Sequence, residues 1–117
     1  MRIDHSKFTL SLTVLLLASA LVVAAFAAGP STFTGTVSDA MCGAQHMEPG
    51  VTPADCTRTC VSKGAKYALV VGDKVYTLDG ENKAALDELN KLAGQKAEVK
   101  GKANGDTIEV SSVAAAK

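Results

Sequence analysis

Two dipeptides constrain the fold of this chain more than any other feature. Gly72-Asp73 separates Tyr67-Ala68-Leu69-Val70-Val71 from Lys74-Val75-Tyr76-Thr77-Leu78. A two-residue loop of this kind between β-rich runs makes a tight antiparallel hairpin of type I′ or II′. Asn104-Gly105 plays the same part further on. Before it Ala97, Val99 and Gly101 alternate with Lys96, Glu98 and Lys100, and after it Ile108 and Val110 alternate with Thr107, Glu109 and Ser111. Alternation with a period of two turns one face of a strand toward a core and the other toward water. Phe33, Gly35 and Val37 alternate in the same way with Thr34, Thr36 and Ser38, which adds a fifth strand near the start.

Two segments carry helical signals. Thr52-Pro53-Ala54-Asp55 opens one: Thr52 suits the cap, Pro53 the first helical position, and Asp55 the positive end of the dipole. That helix should run to about Ser62, with Gly64 as its left-handed stop. Ala85, Leu86, Leu89 and Leu92 recur at helical spacing over residues 83–93, and Gly94 follows. Asp39 to Val51 reads as a long loop. The resulting class is mainly β. Its order is strand, Cys-bearing loop-helix insertion, strand, strand, helix, strand, strand, which is that of a five-stranded OB-like barrel with a helix between the third and fourth strands. A more open five-stranded α+β sheet is the alternative.

The first 27 residues stand apart. Arg2 and Lys7 precede an apolar run from Phe8 to Phe26, and Ala25-Phe26-Ala27 places small residues where a signal peptidase cuts. We read residues 1–27 as a signal peptide and 28–117 as one domain, exported to the periplasm, the cell surface or the medium. An uncleaved membrane anchor is the alternative, since the run is nearly long enough to span a bilayer. Without Arg2, Lys7 and Asp4 the chain carries 10 basic and 11 acidic residues, a balance that argues against nucleic-acid binding. No Ser/His/Asp nucleophile, phosphate-binding glycine loop or paired-carboxylate motif is visible, so the chain reads as a monomeric binding or structural module and not as an enzyme.

Its chemistry-bearing residues are concentrated in one place. Cys42-x3-His46 is followed by Cys56-x3-Cys60, which gathers every cysteine and the one histidine of the domain. Three readings arise. In the first, Cys42, His46, Cys56 and Cys60 hold a metal: Cys3His completes a tetrahedral zinc site, and thiolates also suit Cu(I). Cys56 and Cys60 share a helical face with Cβ atoms about 5–6 Å apart. Asp39, Met41 and Met47 lie near enough in sequence to assist, the methionines only for copper. In the second, Cys42 pairs with Cys56 or Cys60 in a disulfide and one thiol remains, the default in an oxidising compartment. Cys56–Cys60 is the poorest pair, because a disulfide needs Cβ atoms about 3.5–4.5 Å apart. In the third, Cys56 is a redox thiolate activated by its helix N-terminus and by Arg58.

Other candidates are weaker. Tyr67 and Tyr76 suit core packing better than ligand stacking, and Asn104-Gly105-Asp106 is explained by a hairpin turn without invoking calcium.

Gly35-Thr-Val-Ser-Asp39-x-Met-Cys42-Gly-x-x-His46, Thr52-Pro53-x-x-Cys56-x-x-x-Cys60, Tyr67-x-Leu-Val and Val75-Tyr76-x-Leu78 together resemble a family of small exported bacterial domains. Leu92-Ala-Gly-Gln-Lys, Val99-x-Gly101 and Asn104-Gly-Asp-Thr-Ile-x-Val110 are similar to the closing part of that family. The likeness covers nearly the whole domain and implies export and an OB-like fold, but no activity. The expectation carried forward is zinc or copper bound by Cys42, His46, Cys56 and Cys60. The alternatives are a disulfide-stapled interaction domain without cofactor, or a thiol-redox or copper-delivery protein.

Overall fold

A computed structural model describes residues 29–45 and 49–117. The expected signal segment and its cut after Ala27 lie outside the described residues. Period-two alternation becomes β1 (Ser31–Asp39), β2 (Tyr67–Val71), β3 (Lys74–Asp79), β4 (Lys96–Asn104) and β5 (Thr107–Ala115). The two helical signals become α1 (Pro53–Ser62) and α2 (Lys83–Lys91). The second helix stops short of the expected residue 93, and Gly94, at φ +77°, turns the chain into β4.

Both hairpins are built by the same device. Val71 faces Lys74 across Gly72-Asp73, and Asn104 faces Thr107, so the second loop is Gly105-Asp106 and not Asn104-Gly105. In each loop positive φ is confined to the glycine, +59° at Gly72 and +60° at Gly105. That is the type II′ arrangement, in which only the first loop position must accept a left-handed backbone.

The five strands form one sheet whose pairings run round in a ring, β1-β2-β3-β5-β4. Every pairing is antiparallel except β3 with β5, which run parallel through Thr77↔Thr107 to Asp79↔Glu109. Register puts Val37 opposite Leu69, Phe33 opposite Val99, and Leu78 opposite Ile108. Val37, Leu69, Leu78, Val99 and Ile108 join Tyr67, Ala97 and Val110 in the core, and α2 adds Ala85 and Leu89. Phe33 and Tyr76 pack against that core with ring centroids 5.4 Å apart, and the Lys74 ammonium lies 4.7 Å above the Tyr76 ring. Tyr67 is buried. Both tyrosines therefore take part in packing.

The insertion between β1 and β2 is closed at its base and tied to α2 and to the turn that follows it. Ala40 N donates to Lys66 O (2.9 Å), and Arg58 Nε donates to Asn90 O (3.0 Å), at the C-terminal end of α2. Gly94 lies so close to the start of α1 that a Cβ there would sit 2.9 Å from Ala54 N. Glycine is required at this position by the approach of α1 as well as by its φ.

Candidate metal centre

Cys42 is positioned by the buried end of β1. Asp39 is 0% exposed, and its Oδ2 accepts hydrogen bonds from Met41 N (3.0 Å) and Cys42 N (2.9 Å). Gly43 N donates to Asp39 O (2.9 Å), and Ser38 Oγ donates to Gly43 O (2.6 Å). A carboxylate that accepts from the backbone N–H groups two and three residues on forms the local turn for which Asp is favoured. Two neighbouring polar side chains thus fix the path of the turn that carries the first thiol.

The other two thiols come from α1. Thr52 Oγ1 accepts from Asp55 N (3.2 Å), and Pro53 occupies the first turn, as its fixed φ suits. That start sets the helix phase, so Cys56 and Cys60 lie one turn apart on one face. Cys56 is buried, and Cys42 and Cys60 are half-buried. Cys42 Sγ is 3.8 Å from Cys56 Sγ and 4.0 Å from Cys60 Sγ, and all three sulfurs lie within 4.8 Å of one another.

These separations have a direct chemical reading. Four ligands about 2.3 Å from a tetrahedral zinc stand about 3.8 Å apart. Bonded sulfurs stand about 2.05 Å apart. All three cysteines are free, so neither Cys42–Cys56 nor Cys42–Cys60 forms the expected disulfide in this structure. The sulfurs are spaced as ligands around a common centre.

The electrostatics oppose the redox expectation. On the redox reading Cys56 would be a helix-activated thiolate, yet its thiol is pushed above its ordinary value, chiefly by burial. Arg58, expected to assist, is 3.7 Å from Asp55 and gives its Nε to Asn90 O. Burial is also the main cause of the upward shift at Cys60, whereas at Cys42 the hydrogen bond with Cys56 comes first and burial second. The Asp39 charge adds to the upward shift at all three. Without a cation the thiols are held in the protonated form, which is a poor nucleophile.

Of the four expected ligands, three converge. His46 lies outside the described residues, as do Met47 and Glu48. Met41 is 72% exposed. The role of Ser38 and Asp39 in shaping the turn was not read from the sequence, although Asp three residues before Cys42 is the spacing of such a turn. Elsewhere among the described residues, a groove of about 280 Å³ runs between α2 and β5 beside Asn82, Glu88 and Ser112. It contains none of the cysteines.

Comparison with known proteins finds no matching family model, no matching curated protein and no matching solved structure.

Proposed function

We propose that this chain is an exported metal-binding module, taking zinc or Cu(I) through Cys42, Cys56 and Cys60, with His46 as fourth ligand. One observation carries the reading: three sulfurs from two separate elements meet within 4.8 Å, and two of their separations, 3.8 and 4.0 Å, are near the spacing of ligands on one tetrahedral ion. A helix supplies two of them rigidly, and a braced turn brings the third. The ring of strand pairings, with a helix between β3 and β4, supports an OB-type barrel as the frame. Export rests on the basic start, the apolar run and the small residues at Ala25 and Ala27, in keeping with the likeness to small exported domains. No residue constellation in the sequence points to catalysis, and the near-neutral charge argues against a nucleic-acid partner.

The test is a titration of fully reduced protein with zinc against a chelator of known affinity, with thiol counting on the same sample. One ion per chain and three thiols protected by the ion are expected. Cys56→Ser should abolish stoichiometric binding, while His46→Ala should weaken it by less. Unchanged stoichiometry in Cys56→Ser would sink the assignment. A single free thiol and no bound ion in the native protein would point to a disulfide staple in its place.

A further inference from the structure

Asp39 does more than the turn requires. Its Oδ2 takes both backbone N–H groups, while Oδ1 is buried with no hydrogen-bond partner among the described residues. A buried carboxylate oxygen without a donor is costly, and native structures keep such groups where they serve a function. Its oxygens stand outside the group of three sulfurs that lie within 4.8 Å of one another. It is therefore placed to act on a bound ion through its charge and not as a ligand.

We infer that Asp39 shifts the preference of the three-cysteine site toward a divalent over a monovalent soft cation, zinc over Cu(I). The inference rests on the metal reading above and names the ion class within it. Charge counting carries it. Either ion displaces the same protons from the same three thiols, so those protons cancel when the two ions are compared. What remains is one unit of positive charge, which the Asp39 carboxylate favours. With a unit charge close to the site and an effective dielectric of about 20, Coulomb attraction favours the divalent ion on the order of tenfold or more. Groups just outside the ligands commonly alter metal affinity by about 10–100-fold, so the size is ordinary for such a residue.

A selective charge and a merely structural brace predict different results. Metal-free, reduced protein is titrated with zinc and, under anaerobic conditions, with Cu(I), each against a competing chelator. The chains compared are the parent, Asp39→Asn, Asp39→Glu and Ser38→Ala, each checked for folding by circular dichroism. Asp39→Asn keeps the shape and removes the charge, and it should lower the ratio of zinc to Cu(I) affinity at least tenfold. Asp39→Glu keeps the charge but disturbs the turn. Ser38→Ala removes the bond to Gly43 O without touching the charge. Both should change the two affinities in parallel and leave the ratio within about twofold. A ratio unchanged or raised in Asp39→Asn overturns the inference and leaves Asp39 as a turn brace. Should Asp39→Asn not fold, a tenfold drop in the ratio for Ser38→Ala or Asp39→Glu overturns it equally. A folded parent chain that binds neither ion overturns the metal reading, and this inference with it. A parent that binds both ions with an unaltered ratio in Asp39→Asn sinks the inference alone.

Discussion

The two helices, ten and nine residues long, are each capped at the N-terminus by a polar side chain, yet they spend their buried faces differently. In α2 that face is Ala85 and Leu89, and Leu89 is fully buried in the core shared by all five strands. In α1 it is Cys56 and Thr57. A buried leucine contributes about 1.5–3 kcal/mol by leaving water. A thiol contributes less, and the Thr57 hydroxyl, which finds no hydrogen-bond partner among the described residues, works against burial. The first helix packs only Val61 against the core and is otherwise tied by Arg58 to Asn90 and by the close approach of Ala54 to Gly94, so its buried face is left largely to chemistry. The second helix does most of the helical packing.

The sharpest break of this comparison is Leu89→Ala. It should cost about 3 kcal/mol, within the range for buried leucines, read by chemical denaturation. Zinc stoichiometry on the remaining folded protein should be unchanged. If this substitution abolished metal binding in folded protein, the division of labour between the helices would be wrong.

A smaller effect of opposite sign is expected at Thr57. Thr57→Val replaces the buried hydroxyl with a methyl of nearly the same size, so it should stabilise the chain by about 1 kcal/mol. A loss of stability would mean that the hydroxyl has a partner, and that α1 packs more conventionally than described.

The caps give the finest comparison. Thr52→Ala and Asn82→Ala each remove an acceptor from a helix N-terminus, from Asp55 N and Ala85 N, at a cost of about 0.5–1 kcal/mol in melting experiments. The two should part in metal affinity. Thr52 sets the turn that carries Cys56, so only its loss should weaken zinc binding. Equal zinc affinity in both variants would show that helix phase at Cys56 does not depend on its cap.

Much of this was legible in the residues. The alternation of Phe33-Gly35-Val37 and of Ala97-Val99-Gly101 gives strands because a pleated backbone sends successive side chains to opposite faces. Thr52-Pro53 and Gly64 bound α1 because each residue suits the backbone that its position demands. The second loop was misplaced by one residue because Asn-Gly suits a type I′ turn, while the pairing of Asn104 with Thr107 asks for left-handed backbone only at Gly105. Cys56 and Cys60 were placed together because four residues make about one helical turn. The same spacing said nothing of Cys42, which reaches them across a loop.

By itself, then, the sequence determined the local elements, the cap of the first helix and the short stretch that holds all three cysteines, since these depend on residues a few positions apart. The tertiary structure alone decided that β3 and β5 pair in parallel, that Cys42 comes within 3.8 Å of Cys56, and that the Asp39 carboxylate is buried. Each of these needs distant segments to meet. Such meetings are selected by how the whole chain buries its apolar faces and satisfies its backbone, a sum over the fold that no short stretch of residues contains.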